Sequence, residues 1–166
     1  MSFSNRMTRI LDRFAFLPGR LSIVAFSFAF GKAVPFVSTA GVRIESVTEQ
    51  RVVASIKNRR RARNHVGGVH AAAIALLAET TSGIIVGRNV PDNSLPLIKS
   101  INLNYVKRNY GGFRAEARLS LKQIEQIQTQ PTGTMVVPVT LTDERNAEAV
   151  TCEMVWAWVP KRNAAG

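Results

Sequence analysis

The residues from Arg63 to Glu79, RNHVGGVHAAAIALLAE, combine polar groups with an apolar run in an order that could support chemistry. Asn64, a glycine pair and His70 come before the run, and the lone carboxylate of Glu79 falls within it. A charged group among apolar side chains costs free energy unless it is paired, hydrated or used in a reaction. We therefore treat Glu79 as a candidate for acid–base chemistry, with an ion pair to a loop arginine such as Arg63 as the alternative.

The segment 69–87, VHAAAIALLAETTSGIIVG, predicts the helix that would position these groups. Its alanines and leucines favour a helix over a strand, and its apolar residues occupy nearly all sides, which indicates a helix buried all round. Amides at a helix N-terminus are unsatisfied and favour negative charge, so those of Ala71 and Ala72 are candidate oxyanion donors. Asn64 and His70 have a second interpretation as caps of the helix start. Gly67 and Gly68 are needed for the turn in either case.

Segments with a period of two lie on both sides of this helix and predict strands. VRIESV and RVVASIK form a hairpin before the helix, and four more strands follow it, within residues 99–110, 112–122, 134–143 and 148–159. In the second of these four we expect inward-facing Phe113, Ala115, Ala117, Leu119 and Leu121. Pro138 suggests an edge position or a bulge. The residues IEQIQTQPTG between strands predict a connecting loop or a short irregular piece.

One helix that is apolar on nearly every side needs a layer that surrounds it. The sequence therefore predicts an α+β fold in which a curved antiparallel sheet wraps one long central helix, and any uncovered helix side would need a second subunit. We assign this domain to residues 34–166 and an N-terminal helical extension to residues 1–33. The apolar run LSIVAFSFAF in the extension has about half the length of a bilayer crossing. It predicts one or two amphipathic helices packed on the domain, with a signal peptide as the alternative and with membrane-surface contact open.

Composition narrows the class of partner. The 166 residues carry a net charge of +11, from 22 Lys and Arg against 11 Asp and Glu. This excess favours nucleic acid, a membrane surface or a phosphate-bearing small molecule, or serves only solubility. A single cysteine, Cys152, excludes an intramolecular disulfide, indicates the cytoplasm and predicts an inert, half-buried thiol. Two histidines without suitably spaced Cys or Asp argue against a metal site.

The order of a basic loop, Asn, Gly, His, small residues and an acid nine positions after the His resembles a known family. It is similar to the hotdog-fold acyl-CoA thioesterases of the phenylacetic-acid-degradation type and their less characterised relatives. The likeness spans about residues 34–159, and its specific part is 64–79. Alanines replace the glycines that follow the His in the family, and Glu stands where the family more often has Asp. The matching positions are Asn64, Gly67 or Gly68, His70, Ala71, Ala72 and Glu79.

The resemblance implies a homodimer, or a homotetramer, in which the helix start of one chain meets the acid of the other. Glu79 would be the general base or nucleophile, Asn64 would hold the water or the thioester carbonyl, and His70 would position the loop or donate to the carbonyl. Gly68, Ala71 and Ala72 would bind the substrate. Glu79 lies roughly 13 Å along the helix from its start, a separation that is long for a site within one subunit. No metal and no cofactor are implied beyond the coenzyme A part of the substrate.

The basic residues near this segment fit the phosphates of coenzyme A. Arginine binds phosphate well, so the loop arginines and two cations after a later strand would form a docking rim. A solvated loop is the alternative interpretation of the same charges. The residues of the rim are Arg59, Arg60, Arg61, Arg63, Lys107 and Arg108.

Three functions compete at this point. The first is hydrolysis of acyl-CoA-type thioesters, and the second is non-catalytic binding of acyl-CoA or a fatty-acyl group in the same pocket. The third is nucleic-acid binding through Arg59–Arg63. The third ranks last because aromatic residues form only 7% of the chain and are not interleaved with the basic loop.

Overall fold

The computed structural model describes residues 3–161; residues 1, 2 and 162–166, at the outer ends of the two predicted units, lie outside it. Within the described residues the helices are α1 Arg6–Asp12, α2 Arg20–Ala33, α3 Pro35–Ala40, α4 Ala71–Asn89 and α5 Leu121–Thr129, and a short 3-10 helix spans Arg60–Ala62. The strands are β1 Val42–Val47, β2 Arg51–Ile56, β3 Ser94–Tyr105, β4 Phe113–Arg118, β5 Gly133–Val137, β6 Val139–Asp143 and β7 Val150–Pro160.

The seven strands form one antiparallel sheet that curves around α4. The order is β1-β2-β4-β6-β7-β3, with β5 paired to β7. Helix α4 packs against β2, β4, β3 and β7, so that strands from both halves of the sheet surround it. The predicted α+β class, with a curved antiparallel sheet wrapped around a central helix, is confirmed.

Burial along α4 leaves one stripe uncovered. Most of its side chains are buried, as the apolar sequence predicts, including Ile74, Leu77, Ile84 and Ile85 at 1% exposure or less. Apart from Ala71 in the first turn and Arg88 in the last, the positions with remaining exposure recur every three or four residues, which places them on one side of the helix. This uncovered stripe of α4 consists of Ala72, Ala75, Leu76, Glu79, Gly83 and Gly87.

The segment after β4 differs from the prediction. Residues Leu121–Thr129, expected as a loop or irregular piece and in part as a strand, form helix α5. The hydroxyl of Ser120 accepts a hydrogen bond from the Gln123 amide, and the Gln123 side chain accepts one from the Ser120 amide, which makes a capping box. Leu121 was therefore wrongly predicted to face inward; it begins the helix and is 71% exposed. The strand count after α4 is five rather than four because Pro138 interrupts one predicted strand.

Pro138 lies between β5 and β6, where the chain changes partners. Strand β5 pairs with β7, whereas β6 pairs mainly with β4. A proline has no N–H for a strand ladder, so a break at this point costs no hydrogen bond, and the Pro138 carbonyl still accepts from the Arg118 amide at 3.1 Å. The predicted irregularity at Pro138 is thus the bend between two short strands.

Residues 3–33 form two helices, within the one or two predicted for the extension: α1 packs on α4 and α2 packs on β1, and the short α3 follows at the start of the predicted domain. The Asn5 side-chain amide donates to the carbonyls of Gly87, Arg88 and Val90, so it caps the C-terminus of α4. In α2, the Ser27 hydroxyl accepts from the Ile44 amide at 2.9 Å and so covers part of the outer edge of β1. In the described part of the chain only α4 is long and apolar enough to cross a membrane. It is the core helix, and more than half of its apolar stretch is buried inside the protein.

Strand β3 is the other end of the sheet, and its outer edge pairs with no strand among residues 3–161. It is 12 residues long and carries exposed apolar side chains at Leu95, Leu97, Ile101 and Tyr105. A long, apolar edge strand is a template for pairing with another chain. The open edge of β3 and the uncovered stripe of α4 are thus two surfaces that no element among residues 3–161 covers.

Candidate active site

The loop before α4 is held by the side chain of Asn64. Its Oδ1 accepts hydrogen bonds from the backbone amides of Val66 at 3.1 Å and Gly68 at 3.0 Å, and the backbone N–H of Asn64 donates to the Gly68 carbonyl at 2.9 Å. Gly67 has φ +83°, a left-handed conformation that favours glycine. The carbonyl oxygen of Asn64 is thus used to fold the loop, and its Nδ2 donor has no acceptor among residues 3–161.

The start of α4 presents one free amide rather than two. His70 is the N-cap: its Nδ1 accepts from the Ala72 amide at 3.1 Å, and its carbonyl accepts from the amides of Ala73 and Ile74. The capping interpretation of His70 is therefore correct, and it occupies the Ala72 donor. Ala71 keeps an amide with no acceptor among the described residues. Because Nδ1 accepts, a neutral His70 carries its proton on Nε2 as a second outward donor.

Glu79 lies two turns after Ala72 on the uncovered stripe of α4 and is half-buried. Burial raises the pKa of its carboxyl above the ordinary value. The nearby Thr80 hydroxyl acts in the opposite direction and lowers the pKa of Glu79, although the Thr80 oxygen has no hydrogen bond of good geometry in the described chain. Glu79 has no ion pair in the described part of the chain, and Arg63 donates to Asn58 instead, from Nε to Oδ1 at 2.9 Å. The ion pair that would have made Glu79 structural is absent there.

A tryptophan from β7 fixes the helix one turn beyond Glu79. Trp156 Nε1 donates to the Ser82 hydroxyl at 2.9 Å, and that hydroxyl donates in turn to the Ala78 and Glu79 carbonyls. A Cβ at Gly83 would lie 2.9 Å from the Trp156 ring, so only glycine admits the ring at this distance. Trp156 itself is buried, at 5% exposure. Its contact next to Glu79 holds the backbone of that residue in place.

The end of β3 and the loop after it pack against the helix start. The Tyr105 hydroxyl donates to the Ala71 carbonyl at 2.9 Å. A Cβ at Gly68 would lie 2.8 Å from Asn109 Oδ1, so the two loops touch at that glycine. Lys107 and Arg108, in this loop, are thereby brought to the same end of the molecule as Gly68. No sequence pattern indicated Tyr105 or Asn109 as part of this region.

The loop arginines are exposed but differ in their surroundings. Arg63 and Asn58 hold the loop, since Asn58 also donates to the Gly67 carbonyl. The Arg61 guanidinium lies over Gly41 at the end of α3, where a Cβ would come within 2.6 Å of it. Arg59 and Arg60 form no ion pair among residues 3–161. Among residues 3–161, the cations near the helix start that have no structural partner are Arg59, Arg60, Lys107 and Arg108.

Within one protomer the two halves of the predicted site stay apart. Asn64, Gly68, His70 and Ala71 gather at the start of α4, and Glu79 lies about two turns further on, roughly 12 Å along the axis from Ala71. Two clefts in the described structure, of about 620 and 570 Å³, lie between the N-terminal helices and the end of α4 with parts of β1 and β3, and neither Glu79 nor the helix start lines them. A single chain therefore supplies an acid and an amide donor but does not join them.

Comparison with known proteins identifies the family. The family model described as "Domain of unknown function (DUF4442)" matches residues 23–159. No curated protein matches the sequence.

Solved structures show the same fold. PA5026 from Pseudomonas aeruginosa, described as a protein of unknown function and probable thioesterase, superimposes with a TM-score of 0.74 at 23% identity, over 81% of this chain and 93% of that one. The thioesterase PA1618 from Pseudomonas aeruginosa gives 0.67 at 21%, over 83% and 94%. The thioesterase HI1161 from Haemophilus influenzae gives 0.64 at 17%, over 79% and 87%. The chain therefore belongs to the DUF4442 family and has the hotdog fold of these structures.

Proposed function

We propose that this protein hydrolyses acyl thioesters of the acyl-CoA type at a site shared between two subunits. The observation that carries the proposal is Glu79, a half-buried carboxylate without an ion pair in residues 3–161, on the uncovered stripe of α4 that begins beside the free amide of Ala71. The fold supports the reaction class, because HI1161 and PA1618, which share it, are thioesterases.

A homodimer formed at β3 would complete the site. Pairing two copies of β3 across a two-fold axis would satisfy the open edge and cover the uncovered stripe of α4. The axis would set the two α4 helices antiparallel, so the start of each helix would approach Glu79 of the other chain. Each site would then take its acid from one subunit and its amide from the other, so the distance between Glu79 and Ala71 within one chain would not prevent them from acting together. A homotetramer would join two such dimers through a different surface.

Glu79 would act as the general base. Its carboxylate takes a proton from a water molecule while the water oxygen bonds to the thioester carbonyl carbon. The carbonyl oxygen gains the negative charge and accepts a hydrogen bond from the Ala71 amide of the other subunit. The carbon–sulfur bond then breaks, and the proton on Glu79 passes to the departing thiolate, which leaves a carboxylic acid and a free thiol. A direct attack by the carboxylate through an anhydride is the second route; a single turnover in heavy-oxygen water would label the protein only in that case.

The other predicted residues have supporting tasks in this scheme. Asn64 Nδ2 and His70 Nε2 are donors at the helix start that would hold the thioester carbonyl or the water. Arg59, Arg60, Lys107 and Arg108 would bind the phosphates of coenzyme A, with Arg61 and Arg63 holding the loop.

A thiol-release assay across acyl-CoA chain lengths tests the proposal. Glu79→Gln keeps the size of the side chain and removes the base, so we expect turnover to fall by about 10²-fold or more. Glu125→Gln, an exposed change on α5, is the matched control and should leave turnover unchanged. Calorimetric titration of Glu79→Gln with acyl-CoA should still show binding. Binding without thiol release in the wild-type protein would instead establish the acyl-CoA binding function, and full activity in Glu79→Gln would remove Glu79 from the mechanism.

A further inference from the structure

Helix α2 is apolar on its outer face as well as on its inner one. Inside, Phe26 is 1% exposed and belongs to the core. Outside, Leu21, Val24 and Phe28 are 57%, 61% and 66% exposed, and their spacing of three and four residues places them in one stripe. A surface helix normally turns polar residues to water. The outer stripe of α2, defined by these three residues, is therefore a surface made to be covered.

Exposed phenylalanines continue the apolar character at both ends of α2. Phe16, in the turn before the helix, is 80% exposed, and Phe36, in the first turn of α3, is 60% exposed. Single exposed apolar residues are ordinary, but six large ones within 21 residues of chain, including Val34 at 38% exposure, mark an interaction surface.

Most of the charges around the stripe are positive, although the carboxylates of Asp12 and Glu45 line a cleft beside Arg20. Residues 3–41 contain five cations and a single carboxylate, Asp12. Arg20 begins α2 and Lys32 lies in its last turn, about 18 Å apart, so cations flank the stripe at both ends. Lys32 Nζ lies 4.9 Å from the centre of the Phe28 ring. Arg9 is paired with Asp92, whereas Arg6, Arg13, Arg20 and Lys32 have no ion pair in the described chain.

This combination fits the surface of an anionic bilayer. An interfacial helix lies in the membrane plane with large apolar side chains in the acyl boundary and with Lys and Arg at the phosphates. A second copy of this chain fits less well. A two-fold contact along the stripe would bring Arg20 of one chain to Lys32 of the other, and like charges repel. We propose that the outer stripe of α2 docks the protein on membranes that contain anionic phospholipid.

The packing of α2 suits this role because the helix is already formed and oriented. Ser27 accepts from the Ile44 amide of β1, and Phe26 is anchored in the core, so the stripe is held outward without folding on contact. Docking would therefore not need to offset the cost of ordering a chain segment. The inference concerns a surface separate from Glu79 and does not depend on the proposed reaction.

Vesicle co-sedimentation tests the proposal with the full chain. We expect binding to phosphatidylcholine vesicles that contain phosphatidylglycerol, and much weaker binding to phosphatidylcholine alone. The double variant Val24→Asp with Phe28→Asp should lower the partition at least about tenfold, because it replaces inserted apolar groups with repelled charges. The control, Leu121→Asp with Val136→Asp, changes two exposed apolar residues elsewhere and should bind normally.

Charge and insertion can be separated by two further measurements. Arg13→Glu with Arg20→Glu should weaken binding to anionic vesicles, while Lys57→Glu with Lys122→Glu, an equal change in net charge at exposed sites outside the stripe, should weaken it less. A Phe28→Trp reporter should shift its fluorescence to the blue on adding anionic vesicles, against the buried background of Trp156 and Trp158. Absence of sedimentation, or equal losses in the stripe and control variants, would overturn the proposal. A smaller oligomer in Val24→Asp with Phe28→Asp, seen by sedimentation velocity, would assign the stripe to a second copy instead.

Discussion

Replacing Ala71 by proline would remove one hydrogen-bond donor and little else. Proline is favoured at the first position of a helix, where its missing N–H is unsatisfied in any case. His70, at φ −63° and ψ 139°, already has the conformation that a residue before proline adopts. The other three amides at the helix start bond to His70 and stay in place. We therefore expect the free energy of unfolding to change by less than about 1 kcal/mol.

The catalytic effect should be large by comparison. Loss of one oxyanion donor costs about 10²–10³ in kcat, or about 2.7–4 kcal/mol of transition-state stabilisation. The assay is thiol release at saturating acyl-CoA, beside thermal unfolding of the same preparation. Ala71→Gly is the matched control because it keeps the amide and should remain active. An Ala71→Pro variant that folds and keeps its kcat would refute the assignment of this amide.

Mixing two inactive variants tests whether the site is shared between chains. In a mixed dimer of Glu79→Gln and Ala71→Pro, one site receives both mutations and the other receives neither if acid and amide come from different subunits. Random reassociation makes about half of the dimers mixed, so about a quarter of wild-type activity should return. If acid and amide act within one chain, every site carries one mutation and no activity returns.

Two predictions concern pH. Since burial raises the pKa of Glu79, the folded chain holds this proton more tightly than the unfolded one, and stability falls as pH rises from the ordinary carboxyl range through the raised pKa. Glu79→Gln should therefore have a higher melting temperature than wild type near neutral pH, and this difference should disappear near pH 4. The kcat/KM of the wild-type protein should rise with pH above 4.5. A Glu79→Gln variant that is less stable than wild type at neutral pH would contradict this reasoning. Glu116 behaves oppositely: Arg51, then Arg118, lower its pKa to about 2, so its contribution is complete above 4.5 and is lost as pH falls towards 2. Glu116→Gln should lower stability at pH 7 by about 1 kcal/mol or less, a gap that urea titrations should find closed near pH 2.

The sequence was sufficient for the central architecture because its strongest patterns are long. Nineteen residues of helix-forming apolar sequence define α4, and alternation defines the hairpin of β1 and β2 and most of the later strands. Helix α5 was missed because its window is short and polar, with only Ile124 and Ile127 buried. Its capping box at Ser120 and Gln123 was a local signal that would have identified its start. The thiol of Cys152 is half-buried as predicted, and burial raises its pKa to about 11.

The details of the site depended on contacts that no local pattern encodes. A histidine at position 70 is compatible with either helix capping or catalysis. Only the hydrogen bond from the Ala72 amide to its Nδ1 shows that it caps α4. Tyr105 and Asn109 reach the helix start from residues far along the chain, so spacing could not indicate them. In the described chain Glu79 and Arg63 form no ion pair, and only the structure shows this, because Asn58 binds the Arg63 guanidinium instead.

The two kinds of unpaired charge in this fold have different physical consequences. An exposed cation loses little free energy when it has no ion-pair partner, because water solvates it. The rim and the N-terminal extension can therefore carry many unpaired cations. A half-buried carboxylate has lost part of its hydration and regains it only through a partner or a bound molecule. The stripe around Glu79 is built from small or apolar residues, none of which can supply a counter-charge. No neighbour among residues 3–161 compensates Glu79 with a counter-charge, so in the proposed site a water molecule, the substrate or a second subunit would do so.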